Sequence, residues 1–284
     1  MSGEESVRIA FQGVPGAYSE EAARRAVGTG EPAAGVRTRP RPSFRDVFDA
    51  VADGRADLGI VPVENSLAGS VRANYDLLLE RDLVVVGEVY LRVRHCLMAL
   101  PGTGLGDVEV VLSHPQALSQ CEVTLRELLP GAERRAASDT AGSARRIRRE
   151  RLRSTAALAS RRAAEAHDLR ILRRGMEDHE ENHTRFLLLG TEPVDPGPSA
   201  KTSIVFSGPD GPGLLHRCLG AFARRGVDLT KIESRPLSDA PWEYVFYLDL
   251  RGSDDDEAVR EALDELAGAT TFLRTLGSYP TGSS

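Results

Sequence analysis

Asn182-His183-Thr184-Arg185-Phe186 places an amide, a hydroxyl and a guanidinium at the mouth of an apolar run, Phe186-Leu-Leu-Leu-Gly190. Polar groups at the entrance to a buried strand are costly unless a ligand or other partners receive them. This cluster is therefore the first candidate for a site. Three further junctions carry small polar side chains. Gly13-Val-Pro-Gly-Ala-Tyr-Ser19 follows an apolar strand and opens a helix. Glycine there permits close backbone approach, and free N–H groups attract anions. The loop lacks the spacing of a dinucleotide fingerprint, and a tight strand-to-helix turn is the plainer reading. Pro62-Val-Glu-Asn-Ser-Leu-Ala-Gly-Ser70 gathers Glu64, Asn65 and Ser66 beyond a strand's carboxyl end, where open α/β sheets hold ligands; a turn capping the next helix would use the same residue types. Ser113-His-Pro-Gln-Ala-Leu-Ser-Gln-Cys121 puts Ser113 at a helix cap, Pro115 in the first turn, and Gln116 and Gln120 on one face. His114 invites a general-base role but reads better as a satisfied turn residue.

The elements that must position these groups alternate. Val7 to Phe11, Leu58 to Pro62, Val84 to Val86, Val89 to Leu100 and Val108 to Leu112 read as strands. Tyr18 to Val27, Phe44 to Ala52 behind an N-capping Ser43, Val71 to Leu79, and Pro115 to Leu129 read as helices. Such alternation predicts open α/β layers with mostly parallel strands over residues 7–190. Residues 191–200, with three prolines and a glycine, read as a linker. Beyond it, residues 201–279 run Thr202 to Phe206 (strand), Gly213 to Arg224 (helix), Leu229 to Arg235 and Tyr244 to Leu250 (strands joined by a turn at Ser238-Asp-Ala-Pro241), Asp254 to Leu266 (helix) and Phe272 to Leu276 (strand). The order βαββαβ is ferredoxin-like.

Composition narrows the function classes. The chain has 284 residues, a formal net charge of -6 and 41% hydrophobic residues, with a pI near 5.6. No apolar run approaches the roughly 18 residues that span a bilayer, and the acidic start, Met1-Ser-Gly-Glu-Glu5, does not read as a secretory signal. The arginines crowded between Arg134 and Arg162 read as a solvated helix face; without interleaved aromatics, in an acidic chain, they argue against nucleic acid. Three scattered cysteines, Cys96, Cys121 and Cys218, point to a reducing cytoplasm with no disulfide frame and no zinc or other metal.

Gly-x-x-Gly-x-Tyr-Ser, Pro-x-Glu-Asn-Ser-x-x-Gly, Ser-His-Pro-Gln-Ala-Leu-x-Gln-Cys and Asn-x-Thr-Arg-Phe stand here in the order found in prephenate dehydratases. Leu229-Thr-Lys-Ile-Glu-Ser-Arg-Pro236 resembles the phenylalanine-sensing motif of the ACT domain attached to those enzymes. The resemblance runs from about Val7 to Ser278. It implies a two-lobed catalytic domain similar to periplasmic binding proteins, with the site in the cleft, and a ferredoxin-like ACT domain. It also implies conversion of prephenate to phenylpyruvate, carbon dioxide and water in phenylalanine biosynthesis. Thr184 is then the essential hydroxyl, with Asn65, Ser113 and Gln120 as active-site polar groups and Glu64, Ser66 and Arg185 beside them.

Aromatisation drives that reaction, so it calls for no cofactor. The protein must orient a dianion and stabilise a departing hydroxide. Thr184 can donate to the leaving oxygen, relayed from water or Glu64; preorganised donors of this kind are typically worth ~3 kcal/mol of barrier. On the regulatory side, Pro212-Gly213-Leu214-Leu215 opens a helix whose N–H groups can take an amino-acid carboxylate. The resemblance places L-phenylalanine there with Asp228, Glu233, Ser234, Arg235 and Pro236, between two regulatory domains, hence a homodimer or homotetramer. This chain departs from the family pattern at Gly213-Leu-Leu-His216, where Gly-Ala-Leu-Val is usual, and at Asp228, where Asn is common. Asp228 can pair with an effector ammonium or cap a turn. Two other readings stay open: arogenate dehydratase, which shares the chemistry, and a non-catalytic amino-acid-responsive binding protein.

Overall fold

The computed structural model describes residues 6–26, 35–209, 211–237 and 240–282. In chain order the first elements are β1 (Val7–Gln12), α1 (Tyr18–Ala26), β2 (Val36–Arg41), α2 (Phe44–Ala52), β3 (Leu58–Asn65), β4 (Gly69–Ser70), α3 (Arg72–Glu80) and β5 (Val84–Arg92). Then follow β6 (Cys96–Ala99), β7 (Val110–Ser113), α4 (Pro115–Gln120), α5 (Glu122–Leu128), β8 (Glu133–Ala136), α6 (Thr140–Glu150), β9 (Thr155–Ala159), α7 (Arg161–Ala166), β10 (Arg170–Arg174) and β11 (His183–Gly190). The last are β12 (Ala200–Ser207), α8 (Leu214–Ala223), β13 (Leu229–Leu237), β14 (Ala240–Arg251), α9 (Glu257–Ala269) and β15 (Phe272–Pro280).

They form three sheets. The first has the order β2-β1-β3-β11-β5, with β4 paired to β3; the second β10-β6-β9-β7-β8; the third β13-β14-β12-β15. β1 pairs in parallel with β2 and β3, and β7 with β8 and β9, while β6 runs antiparallel to β9 and β10. β9 is buried along its whole length, as expected of a strand covered on both faces. Met98, Leu112 and Ala157 face one apolar cluster with α6 and α7; Leu97, Val111 and Leu158 face another with α5.

Contacts divide the chain into two compact units. One runs to Tyr75 and resumes from Val89 to Phe186; the other comprises Asp76–Glu88 and the chain from Leu187 onward. Residues 191–199 hold no helix or strand, as their prolines require, but the units part elsewhere. In the second unit α8 and α9 cover one face of the third sheet around Phe206, Leu248 and Leu250. Residues from the Asp76–Glu88 segment lie on its other face: Lys201 Nζ donates to Glu88 Oε1 at 2.6 Å, and Arg235 makes a forked pair with Asp76 at 2.9 and 2.8 Å. Gly277 lies at φ +147° where a Cβ would strike the Val85 carbonyl, so only glycine allows that approach.

Several elements differ from expectation. Val89 to Leu100 is broken at Val93-Arg94-His95, and the helix after Pro115 breaks at Cys121. β2, β8, β9, β10, α6 and α7 carry too many arginines and alanines to show a clear apolar period. The arginine-rich stretch includes α6, which buries Ala141, Ala144 and Ile147 and exposes Arg145, Arg146, Arg148 and Arg149. Ser43 caps α2 with a reciprocal Asp46 bond. Met1–Glu5, Val27 and the turn residues Ser238-Asp239 lie outside the described residues.

Candidate active site

β11 starts at His183, so Thr184 lies within the strand and not ahead of it. Successive strand side chains face opposite ways. Asn182 and Thr184 therefore share a face, and both meet Asn65 at the end of β3. Asn65 Nδ2 donates to Asn182 Oδ1 at 2.8 Å, to Thr184 Oγ1 at 3.0 Å and to the His183 carbonyl at 3.1 Å. Asn65 Oδ1 accepts the Leu67 and Ala68 N–H groups at 3.1 and 3.0 Å. A backbone N–H can only donate, so this turn fixes which end of the Asn65 amide faces Thr184.

The second lobe completes the cluster. Gln116 Nε2 reaches Asn65 Oδ1 at 3.4 Å, and Asn182 Nδ2 donates to Gln120 Oε1 at 3.0 Å. His95 Nε2 stands 3.3 Å from the same Gln120 oxygen, and its Nδ1 stands 3.0 Å from the Tyr18 hydroxyl. Tyr18 and His95 also meet edge to face at 5.6 Å. Burial lowers the His95 imidazole below its ordinary range, against the opposing Gln120 bond and Glu177 charge. Burial pushes the Tyr18 phenol well up, aided by nearby Cys96 and Glu21. Both rings are thus neutral at pH 7. Burial likewise raises the Cys96 and Cys121 thiols, which makes them poor nucleophiles. The assembled site is a chain of neutral donors and acceptors around one hydroxyl.

Asn65, Gln120 and Thr184 come together. Four other expected residues do not join them directly. Ser113 is fully buried and its hydroxyl donates to the Leu158 carbonyl at 2.7 Å; β9 lies beside β7 and takes that proton. His114, not Ser113, is the N-cap of α4, its Nδ1 accepting the Gln116 N–H at 3.3 Å. Arg185 is 6% exposed and, one residue from Thr184 on the strand, projects from the opposite face. Glu64 is displaced from the Asn65 face by the same alternation, opposite Ser70 of β4. Ser66 instead clamps the chain before β11: its hydroxyl donates to the Glu181 carbonyl at 2.8 Å and accepts the His183 N–H at 2.9 Å. His95 was hidden in an apparently continuous apolar strand, and Tyr18 was visible only as part of a loop motif.

The Gly13–Ser19 loop packs the lobes together. Gly16 sits at φ +90° with its Cα face against the backbone of Ala163, where any side chain would collide. Ser160, the N-cap of α7, donates to the Gly16 carbonyl at 2.6 Å, and the Gly16 N–H bonds Glu20 at 2.7 Å.

In the C-terminal domain Gly213 is the N-cap of α8 at φ +82°, while Leu214 and Leu215 belong to the apolar core. Asp228 accepts from Arg251 Nε at 2.8 Å. Along β13 Ser234 and Pro236 are exposed, whereas Glu233 and Arg235 are half-buried on the other face; strand alternation splits the expected effector group between two faces.

Comparison with solved structures places this architecture. A prephenate dehydratase from Arthrobacter aurescens, in complex with L-Phe, is 31% identical, with a TM-score of 0.87 over 96% of this chain and 90% of that one. GqqA, a quorum quenching acylase, is 39% identical, with a TM-score of 0.87 over 96% and 98%. The class is a two-lobed, periplasmic-binding-protein-like α/β enzyme domain followed by a ferredoxin-like regulatory domain. The chain belongs to the prephenate dehydratase family of lyases, whose model matches residues 9–194, and carries an ACT domain over residues 202–268. Arogenate dehydratase/prephenate dehydratase 2, chloroplastic, of Arabidopsis thaliana is 47% identical over 99% of this chain and 74% of its own length. Arogenate dehydratase 1 of Petunia hybrida is also 47% identical, over 97% and 67%.

Proposed function

We propose that this chain converts prephenate to phenylpyruvate with Thr184 as the donor to the departing oxygen. One observation carries the assignment of the role: Asn65, its orientation fixed by two backbone amides, donates to Thr184 Oγ1. With one lone pair so occupied, the hydroxyl proton is directed to another acceptor. In the reaction the electron pair of the ring carbon–carboxylate bond enters the ring and the ring carbon–oxygen bond breaks. Prephenate dianion and one proton give phenylpyruvate monoanion, carbon dioxide and water. A threonine hydroxyl is too weak an acid to supply that proton, so Thr184 stabilises the developing hydroxide by a hydrogen bond, and the hydroxide takes up its proton from the buffered solvent as it leaves. Glu64, on the other strand face, is poorly placed as the relay. The same geometry speaks against Thr184 as the nucleophile of an acylase, the activity named for GqqA. A nucleophilic threonine needs a base to take its proton, and the Asn65 nitrogen that meets Thr184 offers hydrogens.

The test follows phenylpyruvate formation from prephenate, with arogenate assayed beside it. Thr184→Ala should cut turnover by about 10²–10³ with KM nearly unchanged, and Thr184→Ser should keep part of the rate. A near-normal Thr184→Ala turnover removes the role. Arogenate is the second reading because relatives at 47% identity carry that name; a higher kcat/KM with arogenate would select it.

The ACT domain and the L-Phe complex of the Arthrobacter relative support phenylalanine as effector. The carboxylate would meet the N-terminus of α8 at Gly213, and two copies would pair through their ACT domains. Three buried, unpaired cysteines support a reducing location, the cytoplasm in our reading; several plant relatives carry chloroplastic names.

A further inference from the structure

We propose that His95, backed by Tyr18, is a positioning residue for this reaction: its Nε2–H locks the Gln120 carbonyl and so holds Gln120 in the one orientation that answers Asn182 and leaves its own N–H groups for the substrate. The inference rests on the lyase reading above.

The direction of every bond follows from the two ends. At one end the Leu67 and Ala68 amides make Asn65 Oδ1 the acceptor, so Asn65 Nδ2 must donate to Asn182 Oδ1. Asn182 then presents Nδ2, and Gln120 must answer with Oε1. That oxygen is also the atom nearest His95 Nε2. A lone pair at Nε2 would face the Gln120 oxygen and favour rotation of the amide, which would set N–H against the Asn182 N–H. The Nε2–H tautomer avoids this and leaves Nδ1 as acceptor for the Tyr18 O–H. The Tyr18 O–H donates to the Arg94 carbonyl at 2.8 Å, so in the Nε2–H tautomer its one proton is shared between that carbonyl and Nδ1. The groups facing His95 are otherwise Glu177, whose Oε2 accepts the His95 backbone N–H at 2.8 Å, and the Gln120 amide. With its carbonyl occupied by two donors, Gln120 turns its two N–H bonds away from His95 and Asn182 as donors for the substrate anion. His95 is 2% exposed, so it acts through Gln120.

Nitrogen-15 NMR of the wild-type protein labelled in histidine reads the tautomer directly and needs no variant. Dominant Nε2–H is expected between pH 6 and 8, with a larger share of Nδ1–H in Tyr18→Phe; dominant Nδ1–H in the wild type overturns the proposal. In kinetics, His95→Phe removes the donor and should lower kcat/KM by about tenfold or more, while His95→Gln, which restores an amide N–H, should recover most of it. Equal losses in both variants, tracking equal losses in melting temperature, would assign His95 to packing alone and overturn the proposal. If wild-type protein turns over neither prephenate nor arogenate, the lyase reading falls; the tautomer result still stands or falls separately. If the wild type is active and Thr184→Ala is impaired while His95→Phe is unchanged, only the role of His95 is lost.

Discussion

The polar cluster around Thr184 and the one behind the third sheet are built on opposite principles. Around Thr184 the groups are neutral: Asn65, Asn182, Gln116, Gln120, His95 and Tyr18, linked in one direction. Behind the third sheet they are ionic. Lys201 and Glu88 pair at 2.6 Å with side chains 8% and 0% exposed, and the Gly282 N–H adds a bond to Glu88 at 3.1 Å. Asp249 accepts from Ser203 at 2.6 Å, and Ser203 meets the Tyr279 hydroxyl at 2.6 Å. Buried ions hold a register because either one alone is costly. Neutral amides hold a direction, leave the net charge of the site to the substrate and can strengthen their bonds as charge develops in the reaction. The ionic arrangement should therefore fail as lost stability, and the neutral one as lost rate.

The largest expected effect tests the ionic side. Lys201→Met removes the buried cation paired with Glu88 and should destabilise the fold by about 3–5 kcal/mol in urea unfolding, with Glu88→Leu added to it restoring much of the loss. An unstable protein with normal activity per folded molecule would sharpen the contrast. On the neutral side, Asn65→Ala removes the group that orients Thr184 and should lower kcat by about 10²-fold or more; a larger effect on unfolding free energy than on kcat would break the contrast. Next is Arg235→Ala, which removes a forked pair to a carboxylate that is 45% exposed and should cost about 1 kcal/mol. Acid titration gives a smaller, signed effect at Glu20. Burial alone would raise its carboxyl, but the Gly16 N–H, Arg24 and Thr38 together hold it below the usual range. The unfolded state then binds more protons in the window between the lowered folded pKa and about 4.3, so this stability is present above that window and fades as pH falls through it. Glu20→Gln should flatten that part of the stability–pH curve. Smallest is Arg146→Ala, an exposed i,i+4 partner of Glu150, expected to change stability by less than about 0.5 kcal/mol.

The βαββαβ order and the alternating strands of the first lobe were legible because their apolar periods are clean. The second half of the catalytic region was not. α6 presents arginine on most of its exposed turns and alanine on its buried face, so its period carries little hydrophobic contrast. At the site, Asn65, Gln120 and Thr184 were readable from their junctions. Ser113 was not, because its hydroxyl is claimed by a strand 45 residues away. Arg185 and Glu64 could have been set apart from sequence alone, since strand neighbours cannot share a face with Thr184 and Asn65. His95 gave no local signal: an imidazole at the end of the alternating run Leu91-Arg-Val-Arg-His95 reads as strand, and only the break at Val93-Arg94-His95 turns it toward Gln120.

The segment Asp76–Glu88 has a practical consequence for dissecting the chain. A cut in the proline-rich stretch 191–199 looks natural by composition. It would carry Asp76 and Glu88 away from Arg235 and Lys201 and bare the Val85 backbone that Gly277 covers. The amino-terminal fragment would present Asp76 on α3 and Glu88 on β5 parted from Arg235 and Lys201, on a newly wetted surface, and should be poorly soluble. Its loss of activity would then report damage at the cut, and not the removal of an effector's influence.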